Sequence, residues 1–313
     1  MLAPIVLFVY NRLAHTQKVI QSLAQNALSP RSDLIIYSDA PKNAESTPQV
    51  LAVRAYIASL KESLNIQGGG QFKSITIIER PHNFGLADSI IDGVSATMRQ
   101  YGKAIVLEDD ILVSPVFLDY MNDALNRYER EKRVWSISAW SHPIDSTGLG
   151  DSYFWCIPHC WGWASWNDRW QYFKRDIAWV EQNFSKADIK AIDLNGALRY
   201  YEQFILNKKG KLKTWAIFNY LIAYKHNALT LTPSRSYIYQ LGFDGSGVHC
   251  GEEGNVYNPP ALNTKFPIAY PDEIALSQLA FDRICAFENS LKKPLLVRIK
   301  NKLIRIAKKI FAT

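Results

Sequence analysis

The sequence predicts an α/β fold in which helices flank a mostly parallel central sheet. Over about the first 135 residues, short apolar runs typical of strands alternate with segments of helical period. A polar loop follows each run, as in parallel sheets that gather ligands at the carboxyl ends of their strands. The chain has 313 residues and is 48% hydrophobic and 12% aromatic, so it can bury a sizeable core.

The predicted elements follow one another in a regular order. Short β-branched runs predict four strands, at residues 4–9, 33–38, 74–79 and 104–108. Helical periodicity predicts helices at residues 15–26, over a stretch that ends near residue 64, at residues 86–101 and within residues 114–132. Beyond residue 140 this alternation fades.

Three consecutive acids follow the fourth predicted strand in the stretch AIVLEDDILVSP. Glu108, Asp109 and Asp110 stand at its carboxyl end, where burying charge is costly. A shuffled chain of this composition contains such a triplet about 0.25 times, so the triplet alone is weak evidence. Its position at the end of a predicted strand is the stronger observation. Mg²⁺ and Mn²⁺ prefer oxygen ligands and keep positions open for phosphates, which favours a metal and nucleotide diphosphate site. The alternative is a solvated helix start whose dipole favours acids.

The net charge of +7 is concentrated in the C-terminal tail. Residues 291–313 carry eight Lys or Arg and no acid, which leaves 28 basic and 29 acidic residues elsewhere. A neutral body argues against a nucleic-acid-binding core. The tail also has the spacing of an amphipathic helix, with apolar residues on one face at Leu295, Ile299, Leu303, Ile306 and Ile310. Such a helix favours an anionic membrane surface; a solvated or partner-binding helix is the alternative.

The N-terminus and the cysteines indicate the compartment. No Lys or Arg precedes the first apolar run, and the run is too short to span a bilayer, so we interpret it as a strand. The four cysteines show no secreted-framework spacing, which favours reduced thiols. We expect a cytoplasmic protein that associates peripherally with the inner face of the membrane.

The second half of the chain is rich in aromatic residues. Six of the nine tryptophans fall between positions 155 and 179. Core packing explains most such rings, because Trp is usually well buried. The alternative is a platform on which sugar rings stack, since pyranose faces are apolar and their edges polar.

Four stretches together resemble a known enzyme family. VLFVYNR, SDAPKN, VLEDDILVSPVFLDYM and WSISAW, in this order, resemble the N-acetylglucosaminyltransferase I family of inverting GT-A-fold glycosyltransferases and its bacterial relatives. In that family the acidic triplet is the version of the DXD motif that holds Mn²⁺ on a UDP-sugar. The resemblance implies a nucleotide-sugar-binding half at residues 1–135, an acceptor-binding half of the same GT-A domain at 136–290, and a basic tail at 291–313.

The resemblance also implies roles for single residues. Asp110 would be the direct ligand of Mn²⁺ or Mg²⁺, while Glu108 and Asp109 would contact the sugar and ribose. The uridine side of the site would be formed by Tyr10, Arg12, Asp39 and His82. Asn11 departs from the family pattern, because the eukaryotic enzyme has an acid there. Without the family, Arg12 is an ordinary surface cation, and Asp39 and His82 are loop residues.

The catalytic base is where the sequence departs most from the family. The family base lies beside a tryptophan in an acidic stretch, whereas no acid lies near Trp215 in KLKTWAIFN. The candidates are Asp244 in GFDGSG and Asp168 in WNDRW, and the neighbouring glycines favour Asp244 because they allow close approach of a ligand. A plain turn explains the same residues. His249 would reach the metal, as C-terminal histidines do in several GT-A enzymes, unless it is a buried neutral histidine.

The leading hypothesis is therefore a hexosyl- or N-acetylhexosaminyltransferase that moves a sugar from a UDP-sugar to a glycan or lipid-linked glycan in bacterial surface polysaccharide synthesis. A nucleotidyltransferase that makes sugar nucleotides would show a glycine-rich loop after its first strand, and FVYNRLAHT has no glycine. A non-catalytic carbohydrate-binding protein would explain the aromatic residues but would have no use for the acidic strand end.

Overall fold

The computed structural model describes residues 1–67, 71–245 and 252–292. Its strands are β1 (Ile5–Val9), β2 (Asp33–Ser38), β3 (Ser74–Glu79), β4 (Lys103–Glu108), β5 (Ile111–Val113), β6 (Val134–Ser138), β7 (Ser152–Trp155), β8 (Trp163–Trp166), β9 (Leu229–Pro233) and β10 (Ile238–Gln240). Its α-helices are α1 (Leu13–Ala24), α2 (Thr47–Gln67), α3 (Leu86–Tyr101), α4 (Phe117–Arg127), α5 (Asn167–Trp170), α6 (Ile177–Asn183), α7 (Lys186–Ile192), α8 (Tyr200–Lys208), α9 (Ala216–Lys225) and α10 (Gln278–Ser290).

In the described part of the chain, eight strands form one central sheet in the order β3-β2-β1-β4-β8-β6-β9-β7. The pairs β2–β3, β1–β2, β1–β4 and β6–β9 are parallel, whereas β8 runs antiparallel to both β4 and β6, and β7 antiparallel to β9. The predicted α/β class, with a mostly parallel sheet flanked by helices, is confirmed. A separate two-stranded sheet pairs β10 with β5.

The strand order creates a crevice between β1 and β4. From β1 the chain moves outward to β2 and β3 and then returns to β4 on the other side of β1. Ligands of open α/β sheets bind at such a topological switch point, outside the carboxyl ends of the strands. Phe8 pairs in register with Glu108, so the loop after β1 and the acidic triplet lie side by side.

Helix α3 packs closely on the sheet beside this crevice. A Cβ atom at Gly93 would lie 2.8 Å from the ring of Phe8, so the close approach of α3 to β1 needs a glycine. Ile90, Val94 and Phe8 are all buried in this contact. This packing holds α3 against β1 and so positions the edge of the sheet from which the polar loops extend.

The aromatic half is mostly core. Six tryptophans are at most 5% exposed: Trp140, Trp155, Trp163, Trp166, Trp170 and Trp215. Trp163 stacks on Trp215 with ring centroids 5.2 Å apart. These side chains have no free face for a sugar, so the stacking interpretation does not apply to them.

The predicted C-terminal helix lies outside the described residues, except for its first two residues. Helix α10, just before it, packs its buried Ala280 and Ile284 in the second core. Within the described part of the chain, no helix combines the length and apolar character needed to cross a membrane. Cys156, Cys160 and Cys285 form no disulfide with one another.

Candidate active site

The acidic triplet lies where β4 leads into β5: Glu108 ends β4, and Asp109 and Asp110 form the turn. Asp109 and Asp110 are only 4% and 6% exposed, although burying a charged carboxylate is unfavourable without compensation. Desolvation by burial, together with the charges of Asp110 and Asp109, raises the pKa of Glu108 to about 8. Burial also raises the pKa of Asp109, and the nearby Arg12 partly opposes that shift. Burial and their mutual repulsion therefore oppose the ionisation of these carboxyl groups, and a nearby cation favours it.

Arg12 supplies the positive charge for two of these acids. It lies in the loop after β1, directly before α1, and its Nη2 donates to Asp109 Oδ1 and, at 2.9 Å, to Asp110 Oδ2. The second oxygens, Asp109 Oδ2 and Asp110 Oδ1, are buried without a hydrogen-bond partner in the described part of the molecule. An unpaired buried acceptor costs about 1–3 kcal/mol, so these atoms favour a ligand that the protein itself does not supply.

The donor set fits a hard divalent cation. It consists of carboxylate oxygens, two of them without a partner, and Mg²⁺ and Mn²⁺ prefer such ligands. Among residues 1–67, 71–245 and 252–292, however, no three His, Cys, Asp or Glu side chains are already arranged to hold a metal. The predicted ligand Asp110 faces Arg12 instead, and His249 lies outside the described residues. The metal site therefore stays a prediction.

The segment after β10 covers the acidic turn. Leu241 N donates to Asp110 O at 2.8 Å, and a Cβ atom at Gly242 would lie 2.6 Å from Asp110 Oδ2. A side chain at residue 242 would therefore displace the Asp110 carboxylate or the backbone, so this contact favours glycine. The sequence predicted that the GFDGSG glycines allow close approach to a ligand; Gly242 instead approaches the Asp110 carboxylate itself.

The same segment brings Asp244 to the rim of the site. His15 Nε2 lies 3.0 Å from Asp244 Oδ2, and the Asp244 side chain is 48% exposed. His15 stands in the first turn of α1, three residues after Arg12. Sequence reasoning did not single out His15, although its spacing from Arg12 places both near the start of one helix. A half-exposed carboxylate held beside the acids fits the predicted base.

Asp39 anchors the loop that follows β3. Its Oδ1 accepts from Ala40 N and Phe84 N, each at 2.9 Å, and its Oδ2 accepts from Gly85 N at 2.9 Å and Asn83 Nδ2 at 3.1 Å. The carboxyl end of β2 is thereby tied to the loop after β3. Asp39 thus shapes the predicted uridine side of the site, and a direct contact with the nucleotide stays a prediction.

Tyr10 and His82 belong to the same sheet edge. The Tyr10 hydroxyl accepts from Lys42 N at 3.1 Å, which links the loop after β1 to the loop after β2. His82 is exposed, and its ring centroid lies 4.8 Å from that of Phe84. Of the predicted nucleotide residues, the structure therefore brings Tyr10, Arg12, Asp39 and His82 to one edge.

Two further arginines strengthen this edge and were not predicted. Arg54 on α2 donates to the carbonyl oxygens of Ser38 and Asp39 at 3.4 Å and of Arg80 at 3.1 Å. The Arg80 guanidinium lies over the Phe84 ring, 4.4 Å from its centroid. Arg54 stands within a long helix without a local motif, so only the folded chain shows that it closes the carboxyl ends of β2 and β3.

Asp168 lies away from this site. It follows β8, whose Trp166 pairs with Lys103 at the start of β4, whereas the acids follow the end of β4. Its carboxylate pairs with Lys132 and, at 2.6 Å, with Arg169. The structure therefore brings Asp244, and not Asp168, toward the acidic triplet.

Residues 2–147 match a family model described as the GNT-I family. This range contains β1 to β4, the acidic triplet and β6. The match confirms the predicted resemblance to the N-acetylglucosaminyltransferase I family.

Several solved structures share a weaker likeness. S. aureus TarS 1-349 is 9% identical, with 77% of this chain and 61% of that chain covered and a TM-score of 0.43. A longer S. aureus TarS structure is 11% identical, with 44% and 21% covered and a TM-score of 0.31, so this chain spans about a fifth of its length. The mannosyltransferase PcManGT from Pyrobaculum calidifontis, in complex with GDP-Man and Mn²⁺, is 12% identical, with 72% and 68% covered and a TM-score of 0.40. A search of curated proteins finds no match.

Proposed function

We propose that this chain is an inverting, metal-dependent glycosyltransferase that moves a sugar from a UDP-sugar to a glycan or lipid-linked glycan. The observation that carries the proposal is the buried pair Asp109 and Asp110 at the switch point between β1 and β4. Each acid has one oxygen bound to Arg12 and one without a partner among the described residues. This pair lies inside the segment that matches the GNT-I family.

Asp110, with Asp109 beside it, would hold Mn²⁺ or Mg²⁺ through the unpartnered oxygens. Such a cation, when bound, neutralises charge on the departing diphosphate. Arg12 supplies a second positive charge at the same point and would pair with the nucleotide. The loops fixed by Asp39 and Tyr10 form the uridine side.

Asp244 would act as the general base. In an inverting transfer the acceptor oxygen forms a bond to the anomeric carbon while the bond from that carbon to the diphosphate oxygen breaks on the opposite face. The acceptor hydroxyl gives its proton to a carboxylate in the same step. Asp244 is half-exposed, so an acceptor can reach it, and His15 orients its carboxylate.

Release of UDP from a panel of UDP-sugars, measured with Mn²⁺ and with EDTA, tests the proposal. We expect metal-dependent release for at least one sugar with an acceptor present, and NMR of the product should show an inverted anomeric configuration. Release of pyrophosphate from a nucleoside triphosphate and a sugar phosphate would instead identify a nucleotidyltransferase. Sugar binding without turnover of any donor would identify a carbohydrate-binding protein.

We also propose that the tail, residues 291–313, holds the enzyme at the inner face of a bacterial membrane, beside a lipid-linked acceptor for surface polysaccharide synthesis. Each basic residue near an anionic surface contributes about 1 kcal/mol, and the tail has eight. Flotation with anionic and with neutral liposomes tests this for the full chain and for a chain that lacks residues 291–313. Equal binding of both chains to anionic liposomes would rule out this role.

A further inference from the structure

A cavity separate from the acidic site opens at the same edge of the sheet. Its volume is about 520 Å³, and the residues of its lining that matter here are Thr147, Asp151, Ser234, Arg235, Asn263 and Lys265. The cavity lies between the loop after β6, the loop after β9 and the segment before α10. None of the predicted site residues within the described part of the chain lines it.

The strand directions relate this cavity to the donor site. β6 and β9 are parallel, and β6 has the direction of β4 because β8 is antiparallel to both. The carboxyl ends of β4 and β9 therefore point to the same edge. Three neighbour spacings separate these strands, which is about 14 Å at ~4.8 Å per strand. A ligand in the cavity would lie beside the donor without overlapping it.

The charges of the lining do not balance. Lys265 Nζ contacts both carboxylate oxygens of Asp151 at 2.6 Å, and Asp151 Oδ2 also accepts from Ala269 N at 2.9 Å. These hydrogen bonds lower the pKa of Asp151, so it stays ionised as part of the wall. Arg235 is exposed, and no carboxylate of the described chain lies within 4.0 Å of its guanidinium, although its charge also helps to lower the pKa of Asp151. The described lining thus has one cation in excess.

A buried hydroxyl group in the lining is a further hydrogen-bond donor. Ser234 is 6% exposed and lines the cavity, but its Oγ has no hydrogen-bond partner among the described residues. Its backbone is fixed, because Ser234 N donates to Asp151 O at 2.9 Å. A buried donor held in place without a partner points to a ligand that carries an acceptor atom.

Hydrogen bonds hold the wall of the cavity that the loop after β6 forms. Arg283 on α10 donates through Nη1 to Asp145 O at 2.7 Å and to Thr147 O at 2.6 Å. Thr147 Oγ1 in turn donates to Asp145 Oδ1 at 2.8 Å. A preformed wall lets a ligand bind without first ordering the loop.

We infer that this cavity binds an oxyanion, the carboxylate of an acidic sugar or a phosphate, carried by the acceptor of the proposed transfer. Arg235 would make a charge-assisted bond to the oxyanion and Ser234 would donate its hydroxyl to it. A neutral sugar would leave the surplus cation unmatched, and none of the described lining residues is aromatic, so the cavity offers no ring for stacking. That the ligand belongs to the acceptor rests on the proposed function.

The binding of small probes to the full chain saturated with UDP and Mn²⁺ tests the inference. The probes are methyl glucuronide, inorganic phosphate and the neutral methyl glucoside, and dissociation constants are measured by NMR. We expect one or both anions to bind more tightly than the glucoside, and the better anion distinguishes an acidic sugar from a phosphate. Arg235→Gln should weaken anion binding about tenfold, the loss of one charge-assisted hydrogen bond. Arg235→Lys should retain part of the affinity, and Ser234→Ala should weaken the anion without changing the glucoside.

Arg99→Gln is the matched control, because Arg99 is an exposed arginine in the last turn of α3, before β4 starts, and hence at the opposite edge. Equal affinity for anion and glucoside, or anion binding that survives Arg235→Gln unchanged, would overturn the inference. UDP affinity, measured separately, should be the same in all variants. Failure of the wild-type chain to bind UDP would count against the proposed function, and the same probes without UDP would then test the cavity.

Discussion

Arg12 donates through a single nitrogen to the carboxylates of both Asp109 and Asp110, lying 2.9 Å from Asp110 Oδ2. The two acids come from the turn after β4 and the arginine from the loop after β1, so the contact closes the switch point. One cation faces two buried carboxylates, each of which retains one unpartnered oxygen within the described chain. Arg12 and any divalent cation would therefore compete for the same two carboxylates, although through different oxygens.

Arg12→Gln should separate two roles of the arginine: it is the counter-charge of the buried acids, and it is a predicted contact of the nucleotide. Removing the guanidinium leaves two buried carboxylates without their counter-charge, which lowers stability and strengthens the attraction for a divalent cation. We expect a lower melting temperature in EDTA, a larger rise on adding Mn²⁺ than in wild type, and UDP affinity weakened about tenfold. Thermal shift and calorimetry measure these effects, with Arg99→Gln as control. A Mn²⁺ shift equal to that of wild type would show that Arg12 does not compete with the metal.

Asp110→Asn should abolish Mn²⁺-dependent binding of the UDP-sugar while the chain stays folded. The amide is a much poorer partner for a divalent cation, whereas Arg12 keeps its bond to Asp109. Calorimetry with the UDP-sugar, with and without Mn²⁺, measures the loss, and circular dichroism checks the fold. Asp282→Asn on α10 removes an acid that lies away from the site and should bind as wild type does. Full turnover by a folded Asp110→Asn variant would show that Asp110 is not a ligand of the metal.

The first half of the fold was predictable because its information is local. Each parallel strand is a short apolar run, each is followed by a helix with its own period, and the polar loops then meet at one edge by topology. The second half was not, because β8 inserts antiparallel between β4 and β6, about 60 residues after β4. No local pattern specifies which strand a short aromatic segment will join.

The candidate site likewise combines residues that the sequence predicted with contacts that only the folded chain shows. The sequence assigned Arg12 to the uridine and Asp110 to a metal, but their contact joins residues 98 positions apart. Gly242 was expected to make room for a ligand, yet its neighbour is the Asp110 carboxylate. His15 and Arg54 carry no motif, so their roles follow only from the packing of α1 and α2 on the sheet.

Gly242→Ala should disturb Asp110 without removing it. The new Cβ atom would lie 2.6 Å from Asp110 Oδ2, so the carboxylate or the backbone after β10 must move. We expect Mn²⁺-dependent binding of the UDP-sugar to weaken, though less than in Asp110→Asn. The double variant provides the control: if Gly242→Ala acts through Asp110, it should cause no further loss in the Asp110→Asn background. Additive losses would show that Gly242 acts by another route.

Asp244→Asn should lower turnover by about a hundredfold or more and leave donor affinity nearly intact, because general-base contributions are of that order. His15→Ala should produce a smaller loss, since His15 only orients the carboxylate. Steady-state kinetics with UDP release, together with calorimetry, separates turnover from donor binding. Asp168→Asn is the matched control, because Asp168 lies at the other end of β4 and pairs with Lys132 and Arg169. Loss at Asp168 with normal turnover at Asp244 would assign the base to the tryptophan-rich segment.

Acidification should destabilise the fold through His159, which is buried with Nε2 unpartnered among the described residues. Burial, and then the charge of neighbouring His142, lower the pKa of His159 well below its ordinary 6.5, while His142 itself faces Glu288 at 3.5 Å. Below pH 6.5 the unfolded chain binds a proton at residue 159 that the folded chain does not, so stability falls as pH falls. Of the three pH values tested below, the loss is largest at pH 5.5, and almost none is expected at pH 8. His159→Gln should remove this part of the pH dependence in urea unfolding at pH 5.5, 6.5 and 8. Parallel pH profiles for the variant and wild type would show that His159 takes up its proton equally in the folded and the unfolded chain, and that its pKa is not lowered by folding.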